Sequence, residues 1–220
     1  MVASIPNDVF QFSTFSALKA DFNQGQPSAG DLTSHGDHGI GTFEDGSLMI
    51  LVDSRAYMIS KDRKAAVAPS QARLPFAMVT IFQPRVRFEG LDSLSFDDLD
   101  QVLSQLSNTG HGGPNSVLPF KVGGKFAMVS LETENGGEAY HDVEGSIFGY
   151  IVPKWMSSIS GPKYHCHFLS EEKKSTVSGR IGGRVLDFKG TGKPLLTLGK
   201  CGRFHLGFPQ SKEWESIQLV

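Results

Sequence analysis

The segment Tyr164-His165-Cys166-His167-Phe168 sets two imidazoles two residues apart. Side chains alternate across a strand, so His165 and His167 share one face while Cys166 turns to the other. Two imidazoles aimed at one point supply part of an open zinc site, in which three protein ligands leave a fourth position for water or substrate. A following strand that returns alongside could bring a third side chain to the same point, and Gly182-Gly183-Arg184-Val185-Leu186-Asp187-Phe188 follows after a charged loop. The residue at the ligand position is Arg184. A guanidinium stays protonated and has no lone pair to give a metal. The chain therefore has the outline of a metal site with a cation where a ligand belongs. Spacing alone fits equally a histidine pair on a half-exposed strand face.

A second polar cluster, His35-Gly36-Asp37-His38-Gly39-Ile40-Gly41-Thr42-Phe43, precedes an apolar run. It reads as a tight turn that brings His35 towards a cleft, with His38 incidental. Its glycines do not make a phosphate-binding fingerprint, since no strand leads in and no long helix follows. Asp45-Gly46-Ser47-Leu48 and Asp142-Val143-Glu144-Gly145 are hairpin or bulge signals, each leading into a buried strand, and Glu144 reads as structural.

The elements that must position these groups are mostly strands. Short apolar runs separated by Gly, Pro, Asp and Asn predict strands over 47–52, 56–59, 76–82, 86–88, 125–131, 146–152, 164–169, 183–188, 195–198 and 204–208. So many strands call for two sheets. One strong helix is expected over 96–106, capped by Ser95 with Asp98 in the capping-box position and carrying Phe96, Leu99, Val102, Leu103 and Leu106 on one face. That stripe is core packing, not a ligand surface. A shorter helix starts near Thr14 with Phe15, Leu18 and Phe22, and a helical turn is expected at 31–34. The turn formers of 107–116, with an exposed His111 among them, divide the chain into an N-terminal β-sheet subdomain, 1–110, that includes the helix, and a C-terminal one, 111–220, that carries the His-x-His strand.

Composition narrows the partners. Lys and Arg number 21 against 23 Asp and Glu, a net charge of −2, which gives no electrostatic grip on nucleic acid or an anionic membrane. A small molecule is the expected ligand. The first residues lack the pattern of a secretory leader, and no stretch approaches the about 20 apolar residues of a membrane span, so a soluble cytoplasmic protein is expected. Two cysteines, Cys166 and Cys201, are too few for a disulfide scaffold and read as small buried side chains.

The order of these phrases resembles the alpha-acetolactate decarboxylases. His35 to Phe43, Pro75-Phe76-Ala77-Met78-Val79-Thr80, the Ser95-Phe96 helix, Asp142 to Gly145, Tyr164 to Ser170 and Val185-Leu186-Asp187-Phe188 carry the likeness, over about Asp8 to Pro209. It implies an α+β fold of two β-sheet subdomains with few helices, an active site between them and, often, a dimer. It further implies decarboxylation of acetolactate to acetoin at a zinc held by three histidines. His165 and His167 match two ligands and Arg184 falls at the third, after a loop longer than usual. The family's carboxylate after Asp-Gly falls at Ser47, its arginine after the connector at Lys121, and a C-terminal glutamate at Glu213 or Glu215. A lone dication beside Arg184 would meet repulsion of about 4 kcal/mol or more. Zinc is therefore not expected; if it is held, His165 and His167 are ligands, and His205, His35 or Cys201 would have to complete a relocated site. The expectation is a lyase working through an enolate without zinc, with His165, His167, Arg184 and Lys121 catalytic and Ser47, His35 and Glu213 binding substrate. The alternatives are a metal-independent isomerase, dehydratase or cyclase on a larger substrate, and a non-catalytic binding protein on the same fold.

Overall fold

The computed structural model describes residues 7–171 and 179–219. Strand β1 (Val9–Phe12) leads through helices α1 (Phe15–Lys19) and α2 (Ala29–Leu32) into β2 (His38–Thr42), β3 (Leu48–Val52), β4 (Arg55–Ile59), β5 (Lys64–Val67) and β6 (Phe76–Thr80). Short strands β7 (Val86–Phe88) and β8 (Ser93–Leu94) precede α3 (Phe96–Thr109). The second half holds β9 (Leu118–Thr133), β10 (Gly136–Ile151), α4 (Ser157–Ser160), β11 (Tyr164–Ser170), β12 (Arg180–Leu198), β13 (Phe204–Gly207) and α5 (Lys212–Ser216). The fold is α+β, mostly sheet with few helices.

Both expected sheets form, and they are joined. In the first, β5-β4-β3-β2-β6-β1-β13 run side by side; in the second, β11-β10-β9-β12 do, and β11 also pairs with β12. The start of β12 bridges them, because Arg180 and Ile181 pair with Ala65 and Lys64 of β5. The runs 183–188 and 195–198 are one strand, interrupted by register shifts against β9. The run 125–131 is the middle of a strand that starts at Leu118, and β1, β5 and β8 were not anticipated. Segment 38–42 is a strand rather than a turn: Ile40 and the backbone of Gly39 and Gly41 lie closely between β3 and β6. A side chain at Gly39 or Gly41 would strike the β6 carbonyls of Met78 or Phe76, at 2.5 and 2.6 Å.

Alternation along β11 separates two cores. Cys166 and Phe168 enter a cluster with Phe120, Phe126, Val129 and Phe188, roofed by Leu99 and Leu106 of α3. The helix keeps its expected capping box, Ser95 with Asp98, but its apolar face goes to the sheet of the second half, across the division expected near 107–116. On the opposite face, Leu169, Phe148 and Tyr150 meet Ile40, Ile50, Phe76 and Met78 of the first sheet. His165 and His167 project into this inter-sheet layer. Packing β11 so tightly on β10 needs Gly149, where a side chain would overlap the His165 carbonyl and the Cys166 side chain. Gly149→Ala is expected to lower unfolding stability by about 3 kcal/mol or more, measured by urea denaturation.

Candidate active site

His165 is 4 % exposed and His167 1 %. Burying two imidazoles demands that each ring N–H be satisfied. His165 Nδ1 lies 2.7 Å from the Ser160 carbonyl at the end of α4, and His167 Nδ1 lies 2.7 Å from the Met49 carbonyl of β3. A carbonyl only accepts, so both Nδ1 atoms carry the proton and both Nε2 lone pairs are left for other use. Burial lowers the His165 pKa to about 3, helped by the charges of His167 and Arg184, and lowers that of His167 to about 4, with Arg184 again contributing. Both rings are neutral near pH 7.

Their surroundings fix them. Phe76 stacks on the His165 ring at 5.6 Å and Phe15 meets it edge-on at 5.3 Å. Gly161 holds φ at 105°, and a side chain there would lie 2.6 Å from His165 Nδ1. Ser160 is itself held by Gln11, wholly buried in β1, whose Oε1 accepts from the Ser160 hydroxyl at 2.7 Å while Nε2 donates to the carbonyls of Ser13 and Ile159. Gln11 thus orients the carbonyl that orients His165.

Arg184 pairs directly with His167 across β11 and β12, so both side chains stand on one sheet face. Its guanidinium lies 5.5 Å from the Phe15 ring centroid and 3.3 Å from the Glu132 carboxylate. Arg184, Glu132, Phe15, Lys19 and Gly161 line a cavity of about 470 Å³. His165 lies against Phe15, and neither imidazole is on the cavity wall. Lys121 is elsewhere. It shares the cross-strand row with His167, but the buried Phe148 stands between them, and its Nζ is 3.3 Å from His38 Nε2.

The remaining candidates are dispersed. Ser47 is buried at the β2–β3 turn, with its hydroxyl on Asp45 at 2.5 Å. His35 is exposed at the end of α2 and stacks on Phe10 at 4.0 Å. His205 lies 4.0 Å from Asp8, and Cys201 Sγ is 2.9 Å from the Arg203 carbonyl. Glu213 lies in α5, beside the Trp214 that packs on Phe22. The longer loop before Arg184 falls at 172–178, outside the described residues. Glu132 and Phe15 lacked a sequence signal for this site, being ordinary strand and helix residues. His38 had one, the Asp-His pair, but its burial was not anticipated.

The donor set does not fit a three-ligand zinc. Two free Nε2 atoms are present, the third position is a cation, and among the described residues no three His, Cys, Asp or Glu side chains converge.

A family model described as alpha-acetolactate decarboxylase matches residues 9–139 and 134–220. The chain belongs to the alpha-acetolactate decarboxylase family. It is 30% identical to the alpha-acetolactate decarboxylase of Methylococcus capsulatus over 90% of this chain and 82% of that one. It is 29% identical to that of Lactococcus lactis subsp. cremoris, over 91% and 87%. In fold it matches the alpha-acetolactate decarboxylase of Bacillus subtilis with a TM-score of 0.83 at 21% identity, covering 96% of this chain and 93% of that one. A Staphylococcus aureus protein of unknown function, similar to alpha-acetolactate decarboxylase, matches with a TM-score of 0.82 at 23% identity, over 97% and 95%.

The neutral imidazoles set a pH dependence for this family member. The unfolded chain protonates its histidines near the ordinary value of 6.5, whereas the native rings refuse protons until about 4 and about 3. The unfolded state binds more protons in that interval, so stability falls as pH drops from about 6.5, by about 1.4 kcal/mol per pH unit for each ring. Urea unfolding at several pH values measures the slope. In His167→Asn, which keeps a donor near the Nδ1 position, one ring's share of it should vanish.

Proposed function

We propose that the chain is a lyase that decarboxylates a small 2-hydroxy-3-oxo or β-oxo acid through an enolate, with Arg184 as the electrophile and no metal. The observation that carries this is Arg184 itself, on the wall of the 470 Å³ cavity and next to His167 on the same sheet face. Loss of carbon dioxide breaks a carbon–carbon bond and sends its electron pair into the neighbouring carbonyl. The oxygen that gains the charge needs fixed donors, and a guanidinium offers five in a planar fork.

The other groups divide the remaining tasks. Lys19, whose Nζ lies 5.1 Å from the Phe15 ring centroid, gives the cavity a second cation for the substrate carboxylate. Glu132, the carboxylate within reach of Arg184 and half exposed, relays a proton from solvent to the enolate carbon. The family's carboxylate position holds Ser47 here, so a group on β9 takes over that duty. Phe15 is shared: it lines the cavity and touches His165, so turning its side chain opens the way to the two Nε2 atoms. These accept hydrogen bonds from substrate hydroxyls without taking a charge.

Incubation with acetolactate, scored for acetoin, tests the reading, and an inactive wild type would overturn it. Arg184→Met should lower kcat about 100-fold to 1,000-fold, as expected for removing one preorganised donor. Arg184→His should raise zinc affinity. Stoichiometric zinc in untagged wild-type protein, lost in His167→Ala, would refute the metal-free part.

A further inference from the structure

A second cluster of ionisable side chains lies at the other end of the same sheet face. A cavity of about 390 Å³ is lined by Asp53, Arg55, Tyr57, Lys121, Glu171 and Arg180, among others. Lys121 reaches its floor from β9, with a quarter of the side chain exposed. Its Nζ is 3.3 Å from Nε2 of His38, a ring that is 5 % exposed. His38 Nδ1 in turn lies 2.9 Å from Asp37 Oδ1, which also accepts the Phe82 N–H at 2.8 Å and is thereby held in place. The carboxylate accepts a hydrogen bond from Nδ1–H, so the Nε2 lone pair faces the lysine. Burial lowers the His38 pKa, partly offset by the bond to Asp37, which keeps that lone pair available. Nucleophile, base and orienting carboxylate are thus in hydrogen-bond sequence, the arrangement that activates a covalent nucleophile.

We propose that Lys121 is an amine nucleophile that forms a reversible imine with the carbonyl of a small oxo acid, with His38 as its base and Asp37 orienting His38. The cavity supplies the recognition. Arg180 is fixed by its Nε–H bond to the Ser170 carbonyl at 2.7 Å, by an N–H bond to the Tyr57 hydroxyl at 2.8 Å, and by its position 4.7 Å from the Tyr57 ring centroid. With Arg55 it provides the positive wall for the acid's carboxylate. Asp53 Oδ1 lies 3.4 Å from His38 Nε2 and 3.8 Å from Lys121 Nζ, so the three head groups form a triangle.

The proton and electron movements close. The Lys121 ammonium gives a proton to His38 Nε2, and the freed nitrogen pair forms a bond to the carbonyl carbon. The carbonyl π pair moves to oxygen, which takes the proton back from His38. The nitrogen, now carrying the positive charge, gives a second proton to His38, which passes it to the hydroxyl; the nitrogen pair so freed expels water, leaving a C=N bond with the positive charge on nitrogen. Water reverses the sequence and returns the lysine. An arginine could not do this, since its nitrogens stay protonated and delocalised. The inference does not rest on decarboxylation at Arg184, because the oxo-acid class follows from this cavity's own lysine and arginines.

Borohydride trapping tests it. The protein is incubated with pyruvate, with acetoacetate or with acetone, each with sodium borohydride, and the peptides are mapped by mass spectrometry. Hydride adds to the C=N carbon and leaves a stable secondary amine. The expected result is one adduct per chain, on Lys121, with the oxo acids and not with acetone. Absence of an adduct, equal labelling by acetone, or labelling spread over surface lysines overturns the proposal. Lys121→Arg should abolish the adduct, and one that persists would refute the assignment. His38→Phe should slow trapping about a hundredfold, as expected for a lost general base; an unchanged rate would remove His38 from the centre. Trapping is read as mass and needs no turnover, so it succeeds or fails apart from acetoin formation.

Discussion

The arrangement depends on two hydrogen bonds that hold a pair of buried imidazoles between the sheets. An unsatisfied ring N–H in that apolar layer would cost about 1–3 kcal/mol, so the Ser160 and Met49 carbonyls must be where they are. Met49 belongs to the first sheet and His167 to the second, so one of these bonds joins the layers directly. The other depends on the turn at Ser160, which Gln11 holds from β1. Residues far apart in the chain thus converge on two nitrogen atoms. Packing explains why the strands tolerate this: β11 gives Cys166 and Phe168 to one core and its histidines to the other. A strand with a core on each side cannot slip by one residue without exchanging them.

Much of this was legible in the chain. Period-two alternation placed His165 and His167 together and Cys166 opposite, and the α3 capping box was readable because Ser95 and Asp98 are local to it. What escaped was non-local. The sequence 38–42 looked like a turn because glycines usually mark one, yet here they let three strands pass closely, as the contacts of Gly39 and Gly41 with β6 show. That error hid His38. Lys121 and His38 are 83 positions apart, and no spacing rule joins them. Glu132 likewise gained its meaning only when β12 returned beside β9. Helix α3 was legible as an element, but the sheet that would receive its apolar face was not, since the stripe of leucines fits either one equally well.

Electrostatics ties the two ends of the face together. Arg184 and Lys121 stand in one cross-strand row, on either side of His167 and Phe148. Both are cations next to neutral imidazoles, and in each place a carboxylate balances the charge: Glu132 beside Arg184, Asp53 beside Lys121. A protonated imidazole at either end would face a fixed positive charge with little water to screen it, which is why burial and these cations act together to keep His165 and His167 neutral. Two neutral rings beside a permanent cation form a self-consistent set, because the one charge among them is balanced by Glu132. The same logic separates the two sites chemically. Arg184 cannot give up its proton and therefore serves only as a charge and a donor, whereas Lys121, with a base 3.3 Å away, has the one side chain of the pair whose nitrogen can form a covalent bond.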